Sequence, residues 1–302
     1  MALSPELAFG RRVDGLTPHD LTDEGVRQGL RNAWINHGLV IFQGSQVTPE
    51  LLVDLSRVFA ELDMHPVHEI HTPGHPELIT IVSDPRKETA TLIEVDGEQC
   101  GAWLPWHKDL VFTDRVNRGG LLHAKQVTSR GGCTGFVDQI GAYATLPEAL
   151  KARIEGLEVV YRIGNIETSP FGTRQNVRYL RESDTNKSVM ARSVRDFPPV
   201  VHPLVFVQQE TERKVLNLSP RFAQFIVGID QEESDALLGT LSTHIWDSPA
   251  YFHQWRTDEM VLWDNWRMLH CVTPAPPDEV RIVQRTTLRG DYGLGRKLSA
   301  AA

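Results

Sequence analysis

The chain has 302 residues, 41 % hydrophobic and 23 % charged, the composition of an ordinary globular protein long enough for a sizeable core. A formal net charge of −8 and a pI of about 5.8 argue against nucleic acid and against an anionic membrane surface as partners. No apolar run approaches the roughly 20 residues of a membrane span. The first six residues lack the basic and apolar regions of a signal peptide. Cys100, Cys133 and Cys271 are too few and too scattered for a disulfide framework or a zinc knuckle, so a reducing cytoplasm is the expected compartment.

The first 65 residues predict two helices around one strand. Thr22 is the expected N-cap of the first helix. Val26, Leu30, Ala33 and Trp34 follow at helical spacing, and Gly38 supplies a left-handed stop. Residues 39–42 (Leu-Val-Ile-Phe) read as a buried strand. Thr48-Pro49-Glu50 opens the second helix, with proline where its missing donor costs nothing. This layer is expected to support a sheet from outside. His65, His68, His71 and His75 then crowd into eleven residues. A metal site there is the weaker reading, because proline-broken loops rarely preorganise ligands. Residues 78–83 read as a strand and 84–102 as a charged, mobile loop.

Further along, 119–128 predicts a strand, and Gly131-Gly132-Cys133-Thr134 a turn into another. A helix capped by Thr145 is expected to run to Gly156, followed by a strand over 157–161. Residues 163–196 are polar and aperiodic, the pattern of a lid loop or a disordered segment, with the lid the expected role. Two strand-like runs, 200–207 and 215–218, suggest a hairpin. An amphipathic helix is expected over 232–246 and a strand over 260–263. With no repeat and no linker, 1–302 reads as one domain. Its expected class is mainly β (α+β), a closed double-sheet jelly-roll or cupin-like fold with flanking helices.

The chemistry-bearing residues lie at 106–112 and 263–290. His107 and Asp109 stand at i and i+2, so on an extended strand both side chains point to one face. With twelve histidines in the chain, one such pair is weak by itself. His270 offers a second imidazole. Two nitrogens and one carboxylate on one side of an ion suit Fe(II) and leave positions open for substrates. Arg281 and Arg285, four apart in a strand-like run over 280–288, also share one face. Guanidinium groups turned inward need anions to receive them. An iron with three protein ligands has room for a bidentate 2-oxo acid and for dioxygen. If that acid is 2-oxoglutarate, one arginine and a hydroxyl such as Thr134 would take its far carboxylate. The second arginine would be free for an anionic group on the substrate.

These stretches, with His65-Pro66-Val67, Leu216-Asn217-Leu218-Ser219-Pro220 and Trp263-Asp264-Asn265, resemble the TauD/TfdA family of Fe(II)/2-oxoglutarate-dependent dioxygenases over roughly Leu39 to Asp291. The resemblance implies a double-stranded β-helix, with His107, Asp109 and His270 as iron ligands. It implies Thr134 and Arg281 at the C5 carboxylate of 2-oxoglutarate, and Arg285 and His65 at the substrate, with Phe112 as an aromatic wall. Fe(II), 2-oxoglutarate and dioxygen are the implied cofactor and co-substrates, and a dimer or tetramer the implied assembly. Gly101-Ala102-Trp103-Leu104-Pro105 is apolar where the taurine enzyme has a polar asparagine. Trp103, Leu104 and Phe112 beside Arg285 therefore suggest a small anion with a hydrophobic body rather than taurine. Trp266 departs from the arginine often found after the Asp-Asn pair. Two other readings of the ligand set are a metal-dependent hydrolase and a non-enzymatic β-barrel binding protein. A hydrolase has no need of Arg281 and Arg285, and a structural metal would close its fourth position with protein.

Overall fold

The computed structural model describes residues 9–64 and 70–298. Two sheets carry the residues of interest. The larger has eight strands. Its order is Arg11–Asp14, Leu39–Gln43, Met260–Asp264, Gly119–Gln126, Arg281–Leu288, His75–Ser83 and His71–Thr72, with Leu62–Asp63 attached to Arg281–Leu288. The smaller orders Ala250–His253, Thr134–Asp138, Met268–Ala275 and Ala102–His107. Leu39, Ile41, Val261, Trp263 and Val283 of the larger sheet meet Phe136 and Met268 of the smaller in one buried cluster. On the other face of the larger sheet, Val40, Phe42, Leu121 and Leu262 pack on Leu30, Trp34, Leu52 and Leu55. Those four belong to the helices Glu24–His37 and Pro49–Arg57. A sheet covered on both faces explains why its strands read as unbroken apolar runs rather than alternating ones.

Several local expectations are met. Gly38 ends the first helix at φ 72°, and Thr48 caps the second. The predicted hairpin forms between Val205–Gln208 and Arg213–Leu216, with Val200–Pro203 as a separate strand before it. The amphipathic helix spans Gln231–Asp247.

Others are corrected. The first helix is capped by Asp23, not Thr22, because its Oδ1 accepts the N–H groups of Gly25 and Val26. The helix expected after Thr145 forms as Glu148–Ile154 but is not capped by Thr145; a first helix, Gln139–Ala144, precedes it. Thr145 closes the first, and Pro147 lacks the N–H and disfavours helical backbone at Leu146.

Residues 84–102 are not a mobile loop. Leu92–Val95 and Glu98–Cys100 pair as a hairpin, and Val177–Arg181 adds a third strand. Asp96 and Gly97, at φ 51° and 85°, make the turn. An Asp-Gly pair is the strongest short-range hairpin signal in a sequence. Residues 163–196 likewise hold the strand Val177–Arg181 and a helix, Asp184–Asp196, capped by Ser183.

Candidate active site

Across the antiparallel pair of Ala102–His107 and Met268–Ala275, His270 stands directly opposite His107, with ring centroids 4.1 Å apart. Asp109 reaches them by another route than the expected strand alternation. The strand stops at His107, the chain turns, and Leu110 adopts a left-handed φ of 53°. Asp109 Oδ1 then lies 3.6 Å from His107 Nε2, and Oδ2 lies 3.5 Å from His270 Nε2. One potential ligand atom from each of the three lies within 4.8 Å of the others.

The turn is held from three sides. Asn265, fully buried, accepts the Asp109 N–H at 3.0 Å and donates to the Asp109 carbonyl at 2.9 Å. Ser219 Oγ accepts the Lys108 N–H at 3.0 Å. The Lys108 side chain runs inward, and its ammonium donates to Asn217 Oδ1 and to the Trp266 carbonyl, both at 2.7 Å. Burial pushes that ammonium down to about 7.

Protonation suits metal binding. His107 Nδ1 lies 2.8 Å from the Pro105 carbonyl. A carbonyl only accepts, so Nδ1 donates to it and Nε2 is the nitrogen turned toward Asp109. Burial, reinforced by His107, holds the His270 imidazole well below its ordinary value. Burial alone would raise the Asp109 carboxyl, but Arg285, His270 and His107 together outweigh it and hold it well below the usual range. An ionised carboxylate beside two imidazoles, with Asp109 Oδ2 making no aligned hydrogen bond, is a donor set that a divalent cation would satisfy. The residues fit Fe(II).

Arg281, Val283 and Arg285 share the inner face of their strand, as expected, and both arginines are buried. Arg285 Nη1 lies 2.7 Å from Asp109 Oδ2, while Nε and Nη2 are buried without partners. Its guanidinium lies over Trp263, 5.3 Å from the ring centroid, and the same ring lies 5.1 Å from that of His270. Gly120 leaves room for this indole, since a Cβ there would meet it at 2.5 Å. Arg281 lines a cavity of about 290 Å3 with Thr128, Cys133 and Trp255, and its Nε donates to the Gly132 carbonyl at 3.2 Å. Burial pushes its guanidinium down to about 10. Thr134 Oγ1 accepts the Trp255 indole N–H at 2.9 Å. An indole only donates, so the Thr134 hydroxyl proton is free for an anion.

Phe112 packs on Phe222 and Phe197, and Phe222 stands edge-on to His107 with centroids 6.4 Å apart. Trp103 is on the same strand face as His107, but it packs with Ile93, Val95, Cys100 and Ile166. Leu104 is on the opposite face. His65 lies outside the described residues. In the histidine-rich stretch His75 lies 3.8 Å from Glu50. Trp255, Phe197 and Phe222 carry no local signal as site residues, whereas Lys108 stands inside the 106–112 stretch. Asn217, Ser219 and Asn265 stand in marked motifs, but their partners come from more than 100 residues away.

The model of the taurine catabolism dioxygenase TauD, TfdA family matches residues 2–287. The (S)-phenoxypropionate/alpha-ketoglutarate-dioxygenase of Sphingobium herbicidovorans is 30 % identical over 291 residues, 95 % of this chain and 93 % of that protein. The chain belongs to this family. It is an alpha-ketoglutarate-dependent (2-oxoglutarate-dependent) dioxygenase, with Fe(II), 2-oxoglutarate and dioxygen as cofactor and co-substrates. The hydrolase and binding-protein readings fall with that finding. An alkylsulfatase of Acinetobacter baylyi is 27 % identical over 95 % of this chain and 84 % of its own. A solved taurine dioxygenase from Burkholderia xenovorans shares the fold, with a TM-score of 0.70 at 24 % identity, covering 98 % of this chain and 95 % of that one. Among the described residues no helix is long and apolar enough to cross a membrane.

Proposed function

We propose that this dioxygenase oxidises an unactivated C–H bond of a small anion with a hydrophobic body, such as an aryloxyalkanoate, an alkyl sulfate or sulfonate, or an acylated amino acid. The observation that carries the reading is the pair of orphaned Arg285 N–H groups beside the His107–Asp109–His270 cluster, with the Phe112–Phe222 ring pair on the other flank. The printed names of the relatives, a phenoxypropionate dioxygenase and an alkylsulfatase, support the substrate class.

In this reading His107, Asp109 and His270 hold Fe(II) through Nε2, a carboxylate oxygen and Nε2. Iron bound there would supply, with 2-oxoglutarate and dioxygen, the oxidising power for C–H oxidation, with succinate and CO2 as co-products. The chain's own groups bind, orient and exclude water. Arg281 and the free proton of Thr134 take the C5 carboxylate. Arg285 keeps Asp109 ionised with Nη1 and offers Nε and Nη2 to the substrate anion, with His65 as a second contact. Phe112 and Phe222 would take the hydrophobic body of the substrate. The 163–196 segment acts as the lid. Hydroxylation at a carbon bonded to oxygen, nitrogen or sulfur would lead on to cleavage. The fold is then a double-stranded β-helix forming one domain over 1–302, active in the cytoplasm as a dimer or tetramer.

The test is anaerobic addition of Fe(II) and 2-oxoglutarate, followed through the visible metal-to-ligand charge-transfer band. Oxygen uptake is then measured with (S)-2-phenoxypropionate, an alkyl sulfate, an alkyl sulfonate and taurine. The band should vanish in His107→Ala and weaken in Arg281→Ala. Uptake should be stimulated by the anions with an apolar body and little by taurine. A normal band with stimulation by taurine alone would refute the substrate class.

A further inference from the structure

A polar cavity of about 210 Å3 is lined by none of the three ligand side chains. Arg221, only 5 % exposed, forms part of its wall. The guanidinium lies over the Phe222 ring, 5.0 Å from its centroid, and Nη2 donates to the Gly164 carbonyl. Among the described residues no carboxylate is paired with it. The nearby Glu167 carboxylate is engaged by the Tyr179 N–H and by Asn165 instead. Burial pushes the Arg221 guanidinium down to about 10, opposed only by the Tyr179 phenol. A charge sealed in this way, with a carbonyl and a ring as its neighbours, lacks a counter-ion. Arg162 stands exposed on the same cavity, with Asn165, Thr168 and Ser169 around it.

We propose that Arg221 and Arg162 form a binding site for a small oxyanion (a carboxylate, sulfate or phosphate group), distinct from the iron site. A planar guanidinium at the base offers two parallel donors to such a group, and the arginine at the rim adds a second charge. The site would also tie two regions together. Gly164, Asn165, Thr168 and Val194 line it from the 163–196 segment. Arg221 precedes Phe222, the ring that stands against His107. An anion bound here would therefore brace that segment against the aromatic wall. Free in solution or as the distal group of a substrate, the anion would meet the same chemistry of recognition.

The experiment uses enzyme loaded anaerobically with Fe(II) and 2-oxoglutarate, so that Arg281 is already engaged, and the charge-transfer band reports loading independently. Sulfate held by the free Arg285 N–H groups would bind equally in Arg221→Gln and Arg162→Ala. Inorganic sulfate is titrated by calorimetry at constant ionic strength. Saturable binding is expected in wild type, weakened about tenfold or more in Arg221→Gln and several-fold in Arg162→Ala. The band should be unchanged, and sulfate should slow amide exchange over 164–169. Equal affinity in all three proteins, or no saturable binding by wild type, overturns the proposal. Should Arg221→Gln fail to fold, the exposed Arg162→Ala decides alone. Displacement of sulfate by (S)-2-phenoxypropionate would make this the seat of the substrate anion. Simultaneous binding would make it a separate anion site. A missing charge-transfer band would instead count against the dioxygenase assignment and leave the sulfate comparison standing.

Discussion

Asn265→Ala tests how Asp109 is placed. Asn265 is fully buried and makes four contacts. It accepts the Asp109 N–H at 3.0 Å and donates to the Asp109 carbonyl at 2.9 Å, to the Asn117 carbonyl at 3.2 Å and to Asn117 Oδ1 at 3.0 Å. The substitution deletes the partner and leaves the part-buried Asp109 N–H and carbonyl without it. Each orphaned group costs roughly 1–3 kcal/mol, so a loss of about 3–4 kcal/mol is expected, with some relief if water enters. Urea unfolding of the metal-free protein, followed by tryptophan fluorescence, should show the lower midpoint at an unchanged m-value. Because the turn at Lys108–Asp109 is no longer clamped, the folded variant should also bind Fe(II) about 10- to 100-fold more weakly. A variant within 1 kcal/mol of wild type that binds iron equally well would refute the clamp.

Three further outcomes follow from the same geometry. His202 is fully buried, with Nε2 on the Thr113 carbonyl at 2.9 Å and Nδ1 facing the Tyr292 hydroxyl at 2.7 Å, and burial pushes it down to about 4 from 6.5. The unfolded chain therefore binds the proton first. Its contribution is intact above pH 6.5 and lost as pH falls toward 4, by roughly 3 kcal/mol. Urea titrations from pH 7.5 to 4.5 should show that slope in wild type and a shallower one in His202→Gln. Trp255→Phe should weaken 2-oxoglutarate binding, read from the charge-transfer titration, by roughly three- to tenfold with little change in stability, since one hydrogen bond orienting Thr134 is lost. Gly120→Ala should cost about 1–3 kcal/mol and weaken iron binding, because its Cβ would push Trp263 toward His270. Unchanged unfolding and iron affinity in that variant would show that the indole can yield.

What the sequence determined by itself is the chemistry. Two histidines, one aspartate and two arginines at i and i+4 restrict the possible ions and anions, because ligand type and charge belong to the residues. The inward face shared by Arg281 and Arg285 followed from strand alternation alone. The tertiary structure decided how the pieces meet. His107 and Asp109 converge through a turn beyond the strand end, which no i, i+2 rule contains. The partners that hold this turn, Asn217, Ser219 and Asn265, are 109 to 156 residues away in sequence. Trp255 reaches Thr134 across 121 residues. Such pairings depend on sheet register and packing, and local sequence carries little information about either. The hairpin at Asp96-Gly97 is the reverse case, a local signal that the surrounding charge obscured.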